Sequence, residues 1–422
     1  MDPDRPLRII LSIWMFKAGT GGLQSHAEQL GRALVQRGHE VTVVARAYSF
    51  VPEFRDYLFA NEAIGDISLD GIRVRTLQLG KKWRPVQWLL SKFLARQTLA
   101  PLGVRLYEMQ AKRAGQQAYK DADIIHHIGQ ATALIGFAAE RAARSRRIPF
   151  LVQPTCHPFQ AGDAPLDHRL FRRADRLLVY SHFEADHFRS LDYRVPIDVV
   201  GSGIEDRADG NAERFRQEKG ISGHIILYIG RKDPDKGYPL VIQAFHRLRL
   251  RMPDVNLVCI GPPGAESMRT EIGLLDLGFV SEQTKHDALA ACTCLCVPSV
   301  GESFGLVYME AGRYTKPVIA RRLPVLEELF ENGRAGLLIG TQNTKENAVD
   351  LTAEELAARL YQLLNSPEEC TRLGENCRRV SEKFVWPEVV KRFEAAYQSA
   401  LGNGVNGISS VNAAGPVVPR PC

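Results

Sequence analysis

Pro298-Ser299-Val300-Gly301-Glu302-Ser303-Phe304-Gly305-Leu306-Val307-Tyr308-Met309-Glu310-Ala311 decides how this chain is read. The short apolar run 294–297 precedes it and reads as a buried strand, and the residues after it have helical spacing. The stretch is therefore a strand-to-helix turn. One glutamate lies in the loop and the other about two turns into the helix. Backbone N–H groups around Ser303 to Leu306 open that helix without intrahelical partners and carry the positive end of its dipole, which suits a phosphate. A carboxylate beside an anion site suits a ligand that carries both hydroxyls and phosphates, such as a nucleotide sugar. Two glutamates eight apart also arise by chance on a solvated helix face, so the pair takes its weight from its surroundings.

Outward from this stretch, strands and helices alternate. Strand 7–15, the Gly-rich turn Gly19-Thr20-Gly21-Gly22, helix 24–37 and strand 41–45 form a βαβ unit, with Leu23, Ala27, Leu30 and Leu34 at helical spacing. Strands at 122–128, 149–153, 177–180 and 197–200 and helices at 131–143 and 183–189 follow. The polar stretch 205–223 reads as a linker. A second set begins with strand 225–229, helix 238–251 and strand 255–260, then a helix near Ser267, strand 277–280 and helix 282–291. After the glutamate pair come strands 317–320 and 337–339, helices 325–330 and 353–364, and a terminal helix over 381–401. The predicted fold class is α/β, with two Rossmann-like domains facing across a cleft and a C-terminal helix returning toward the first domain. The predicted divisions are 1–204, 205–384, the terminal helix 385–401, and a Gly/Asn/Ser/Pro-rich tail 402–422 read as disordered. Ligands of such sheets sit beyond the carboxyl ends of the strands.

Gly230-Arg231-Lys232-Asp233-Pro234-Asp235-Lys236-Gly237 follows the first strand of the second domain and gathers cations in a strand-end loop. A charged surface loop has the same composition. Cations there would also neutralise a departing diphosphate without a metal. This segment and the glutamate pair resemble motifs of retaining glycosyltransferases of the two-Rossmann-domain (GT-B) type, in particular glycosyltransferase family 4. So do Gly22-Leu23-Gln24-Ser25-His26 and Gly38-His39-Glu40-Val41.

The resemblance covers most of 7–401 and implies a transferase that moves a sugar from a nucleoside-diphosphate sugar to a glycan, lipid-linked or small-molecule acceptor with retention of anomeric configuration. It implies Arg231 and Lys236 as diphosphate ligands and Glu302 as a catalytic contact to the donor sugar. Backbone groups of Ser303, Phe304 and Gly305 would hold the sugar, N–H groups of Leu306 and Val307 the phosphate, and Glu310 the ribose. His157 matches the family's strand-end histidine near the transferring sugar. Gly21 and Gly22 would let backbone approach the donor phosphate or the acceptor. His126 and His127, read as ending a strand at the cleft edge, are acceptor-side candidates, and His26, inside a helix, reads as structural. Lys232 has no counterpart and reads as solvated. Arg321-Arg322 stands where the family often has Gly-Gly, which leaves the donor sugar open.

Asp233-x-Asp235 resembles a metal-binding pair of another transferase fold, but the family has a non-ligating acid there, so the expectation is a metal-independent enzyme with no cofactor. Cys292, Cys294 and Cys296 alternate, and their apolar neighbours make them core residues before metal ligands. The chain has 422 residues, enough for two domains, with 45% hydrophobic and 24% charged residues. Its net charge of +6 is too weak and diffuse for a nucleic-acid binder. Eight cysteines without a secretion signal, and no spanning apolar run, point to a cytoplasmic protein. The segment 81–113 mixes cations with Trp83, Trp88 and Phe93; it suits either peripheral contact with the inner face of an anionic membrane or an ordinary helix packed on the first domain. Three other classes compete. A sugar-nucleotide epimerase or glycan phosphorylase shares the plan, a non-catalytic sugar-nucleotide binder would not need both glutamates and both cations, and an NAD-dependent oxidoreductase lacks its Gly-x-Gly-x-x-Gly fingerprint here.

Overall fold

The computed structural model describes residues 5–16, 22–48, 67–79, 93, 96, 98–131, 134–160, 162–262, 271–343 and 348–403. Its first half is built on β1 (Arg8–Met15), α1 (Gly22–Gln36), β2 (Glu40–Ala47), β3 (Ile67–Leu69), β4 (Ile72–Thr76), α2 (Ala100–Ala118), β5 (Ile124–Ile128), α3 (Ile135–Arg146), β6 (Phe150–Gln153), α4 (Pro165–Phe171), β7 (Arg176–Val179), α5 (His182–Ser190) and β8 (Ile197–Val199). The strands are near-continuous apolar runs, as parallel strands covered on both faces must be. They order as β3-β4-β2-β1-β5-β6-β7-β8, with only the β3–β4 hairpin antiparallel. α1 lays Ala27, Leu30 and Leu34 on this sheet.

The second half holds α6 (Ala212–Lys219), β9 (Ile225–Ile229), α7 (Tyr238–Arg249), β10 (Asn256–Ile260), β11 (Leu274–Gly278), α8 (Glu282–Ala291), β12 (Cys294–Cys296), α9 (Leu306–Arg313), β13 (Val318–Arg321), α10 (Pro324–Leu329) and β14 (Leu337–Ile339). After these come the β15 (Thr341–Asn343) and β16 (Ala348–Asp350) pair, α11 (Ala353–Leu364), α12 (Pro367–Ser381) and α13 (Trp386–Asn403). Its all-parallel sheet runs β11-β10-β9-β12-β13-β14. The order reverses between the neighbours β9 and β12. Their following loops splay to opposite sides there and leave a crevice, the place where open α/β sheets bind ligands. These two loops are the cation loop 231–237 and the glutamate loop 297–305.

The chain crosses between the halves twice. Ile204 donates to the Phe384 carbonyl at 2.8 Å, and Trp386 donates to the Ile204 carbonyl at 3.0 Å. α13 then packs Val389, Val390, Phe393 and Tyr397 into the first domain's core, returning as expected. The Trp386 indole lies so close over Gly203 that a Cβ there would stand 2.2 Å from it, and its Nε1–H donates to Gln29 Oε1 on α1 at 2.7 Å.

Several expectations are corrected. The stretch 205–223 contains α6, capped by Asn211, which accepts from Arg214 N, and ended by Gly220 at φ +62°. Phe215 is the one buried residue of that helix, too few for a visible period. The strand placed at 277–280 lies at Leu274–Gly278, because Gly278 turns the chain and leaves Phe279 70% exposed. The helix expected over 381–401 is α13, starting at Trp386; a 3-10 turn at Glu382–Phe384 divides it from α12, a helix the sequence reading did not place. Within 81–113, residues 100–113 belong to α2, which buries Val104, Tyr107 and Ala111 against the domain. Residues 80–92, the Gly19–Gly21 turn, the helix near Ser267 and the tail beyond 403 lie outside the described residues. Among the described residues no helix is long and apolar enough to cross a membrane. No disulfide joins their cysteines, and Cys292, Cys294 and Cys296 are core residues.

Candidate active site

The site grows from the two crevice loops. Gly237 closes the cation loop at φ +70°, and a Cβ there would lie 2.5 Å from the Pro298 carbonyl, so only glycine lets the loops approach this closely. Asp235 O accepts from Val300 N at 2.7 Å and ties them together. Lys236 Nζ then reaches Glu302 Oε1 at 2.7 Å, the two side chains being 26% and 9% exposed. Gly305, at φ +89°, opens α9 with no side-chain cap. The first N–H groups of α9, those of Leu306 and Val307, thus stand beside the Glu302 loop without a capping side chain.

Asp233 is spent inside the loop. Its Oδ1 accepts from Lys236 N at 2.9 Å and its Oδ2 from Arg231 Nε at 2.7 Å. Arg231 keeps an exposed guanidinium, at 61% of its side chain. Lys232 corrects the expectation of a solvated cation: it is buried, pairs with Asp276 and donates to the Gly261 carbonyl at 2.9 Å. It fastens the loop to β11 from beneath.

His157 follows β6 on the opposite wall. Burial lowers its pKa; nearby Glu302 pulls it up, while Lys236 and Arg231 push it down, so the four groups share one field. Ser303 is half-buried beside Glu302. The Phe304 ring is buried between Tyr180 at 5.9 Å and Phe384 at 5.0 Å, so this residue seals the junction of the two halves through its side chain. Glu310 lies one helix turn deeper. Burial raises its pKa against the opposing pull of Lys285, whose Nζ stands 3.1 Å from Glu310 Oε1. Burial pulls the Lys285 ammonium down, but Glu310 and Glu282 outweigh it and hold it above its usual value. Gln29, Glu205, Lys285, Glu310 and Arg313 line one narrow cleft between the halves.

Not every expected residue joins this group. His126 and His127 lie within β5 rather than at its end, and both are fully buried. His126 Nδ1 is 2.9 Å from the Tyr397 hydroxyl on α13, and His127 faces Gly136 of α3 on the other side of the sheet. Alternation along a strand sends neighbours to opposite faces, so the pair cannot share a cleft edge. His26 bridges Ser202 Oγ at 2.7 Å and Gln153 Oε1 at 3.0 Å, a structural link as read. Gly22 is exposed at the start of α1, and Gly21 lies outside the described residues.

Three further residues reach the site from other elements; of these only Arg321 had a sequence signal, as a departure from the family pattern. The Gln160 amide stands where a Gly301 Cβ would be 2.5 Å from its Oε1. Lys285 meets Glu310 across 25 residues. Arg321, buried at the end of β13, donates from Nε to the Pro298 carbonyl at 3.4 Å.

Residues 21–203 match the family model described as a glycosyl transferase 4-like domain, and residues 211–380 match that of the glycosyl transferases group 1. Over 260 residues the chain is 30% identical to a D-inositol 3-phosphate glycosyltransferase of Corynebacterium glutamicum, an alignment spanning 56% of this chain and 60% of that one. Over 402 residues it is 25% identical to a phosphatidyl-myo-inositol mannosyltransferase of Mycobacterium tuberculosis, covering 91% of this chain and 94% of the relative. The fold matches a sucrose-phosphate synthase of Thermosynechococcus elongatus with a TM-score of 0.69 at 18% identity, covering 94% and 99% of the two chains. It also matches the Anabaena HepE protein solved with UDP-glucose, with a TM-score of 0.67 at 16% identity, covering 93% and 100%. With both halves matched and the fold in agreement, the chain belongs to the group 1 glycosyltransferases of the GT-B plan, with a glycosyltransferase 4-like first half.

Proposed function

We propose that this protein transfers a sugar from a nucleoside-diphosphate sugar to a hydroxyl of a glycan, lipid-linked or small polyol acceptor, with retention of anomeric configuration, as a family 4 enzyme. The observation that carries this reading is the Lys236–Glu302 contact at the crevice between β9 and β12, beside the uncapped start of α9. In this reading Lys236 leaves Glu302 for the donor diphosphate. Arg231 and the Leu306 and Val307 N–H groups complete its cradle, and Gly22 approaches it from the first domain. Glu302, released, turns to the donor sugar hydroxyls, with the Ser303, Phe304 and Gly305 backbone beside it. His157 contacts the sugar from the opposite wall, and Glu310 accepts from the ribose hydroxyls. Charge grows on the diphosphate as the sugar departs, and preorganised cations and helix N–H groups meet that charge.

No divalent metal is needed at the diphosphate, because both Asp233 oxygens already accept protein N–H groups and the cations are in place. The names of the two relatives, an inositol-phosphate and a phosphatidyl-inositol transferase, favour a polyol acceptor. The experiment is a transfer assay with a matched donor, product configuration being read by proton NMR. Glu302→Ala and Lys236→Ala should each abolish transfer, and added Mg²⁺ or Mn²⁺ should leave the wild-type rate unchanged. Turnover close to wild type in either variant, or an inverted product, contradicts the proposal.

A further inference from the structure

The loop that carries His157 and Gln160 into the cleft is anchored from behind by a second set of side chains, on the far side of the loop from the donor crevice. Cys156, buried at 1% exposure, Asp163 and His187 bring their ligand atoms within 4.8 Å of one another. Asp163 Oδ1 receives two imidazoles at once: His187 Nε2 at 2.8 Å and His168 Nε2 at 3.0 Å. The thiol, the Asp163 carboxylate and the His187 imidazole form a nitrogen, oxygen and sulfur donor set of the kind zinc accepts, and His168 stands next to it on Asp163.

Three features around the cluster point the same way. The His168 Nδ1 is held at 2.7 Å by the Tyr193 hydroxyl, which fixes the ring with Nε2 toward Asp163, the arrangement that outer partners give to metal-bound histidines. Asp163 Oδ2 accepts from Phe159 N at 2.7 Å, which aims Oδ1 at the cluster. Glu184 and Asp167, each 1% exposed, lie close by; Glu184 accepts from Cys156 N at 3.1 Å. Among the described residues the three carboxylates Asp163, Asp167 and Glu184 have no Lys or Arg partner, only the two histidines at Asp163. Asp167 accepts from Ala131 N at 2.7 Å and Ala164 N at 3.1 Å, and Glu184 from Tyr180 N at 2.8 Å as well as Cys156 N, so both are fixed in place as outer neighbours of the ligand set.

We propose that Cys156, Asp163 and His187 hold a structural zinc ion, with His168, 3.0 Å from Asp163, as the side chain that moves in to take the fourth position. It ties the loop after β6 to α4 and α5. The loop has the strain that such a brace would hold: Thr155 and Phe159 have φ of +52° and +67°. The ion lies outside the diphosphate crevice and takes no part in sugar transfer, so this inference stands or falls separately from the proposed reaction.

The test uses the full, tag-free chain. Metal analysis after purification in zinc-containing medium, and zinc titration of the chelator-treated chain against a chromophoric competitor, should both give about one zinc per chain. Cys156→Ser and His187→Gln should lose it. Tyr193→Phe should keep the site but weaken it about 10–100-fold, and Cys292→Ser should bind as wild type. Because the first two variants can also misfold, cobalt is added to the wild-type chain. A thiolate-to-cobalt charge-transfer band with tetrahedral d–d bands supports the site and its cysteine ligand. Absence of both bands together with no zinc uptake overturns it, as does binding that survives Cys156→Ser and His187→Gln.

Discussion

Lys236→Met separates a catalytic cation from a structural one. In the free protein Lys236 Nζ sits 2.7 Å from Glu302 Oε1, and Glu302 has only 9% of its side chain exposed. Removing the ammonium leaves a shielded carboxylate with a missing partner, a loss of about 1–3 kcal/mol in stability. Glu302→Gln in the same chain removes the anion and should recover most of that loss. Transfer behaves differently. A fixed donor at a site of developing charge contributes about 2.7–4 kcal/mol to the transition state, or about 10²–10³ in rate. The diphosphate charge builds during the step, so the loss should fall mainly on kcat. The double variant should therefore be nearly as stable as wild type and no more active than Lys236→Met alone. The assays are urea unfolding and steady-state transfer on the four corners of the cycle. A Lys236→Met enzyme within threefold of wild-type kcat/KM, or activity regained in the stable double variant, refutes the reasoning.

Other consequences follow from single contacts. Lys232→Met should cost about 3–5 kcal/mol by leaving buried Asp276 unpaired, and Lys232→Met with Asp276→Leu should recover most of it; urea midpoints decide, and an additive double variant contradicts the pairing. Gly237→Ala forces a side chain into the left-handed region and within 2.5 Å of the Pro298 carbonyl, so it should lose at least about 1–2 kcal/mol of stability and weaken nucleotide binding, both measurable by thermal shift. His26 is held neutral by burial, its pKa lowered to about 4 against a weaker upward pull from Gln153. The unfolded chain then binds more protons than the folded one between about pH 6.5 and 4, so stability is full above that window and falls through it by about 3 kcal/mol from this residue. His26→Gln should flatten part of the acid slope of the melting temperature; an unchanged slope removes the assignment.

The fold was legible because parallel strands buried on both faces leave unbroken apolar runs, as at 225–229 and 337–339, and because helices 282–291 and 353–364 lie between such strands or beyond them; all four are found at the residues expected. Elements held by tertiary contacts were not. α6 hangs on Phe215 and an Arg214–Asp287 pair, and α12 carries mostly polar residues with a narrow buried face at Leu373, Cys377 and Val380. At the site, motif spacing brought out Glu302, Lys236 and Glu310, because the strand-to-helix turn and the cation loop are each contiguous in sequence. Gln160, Lys285 and Arg321 arrive from other elements and have no such spacing. His126 and His127 misled for a related reason: two adjacent polar residues resemble a strand end, yet each is buried, one on Tyr397 and one against Gly136.

The most direct measurement is a thermal-shift panel of UDP, GDP, ADP and NAD⁺, without added divalent metal, on wild type and Lys236→Met. A ligand at 100 times its dissociation constant adds about 2.7 kcal/mol of stability. Selective stabilisation of wild type by one nucleoside diphosphate, largely lost in Lys236→Met, is the predicted result. No shift with any nucleoside diphosphate, or a shift with NAD⁺ alone, contradicts a sugar-nucleotide donor in the Lys236–Glu302 crevice.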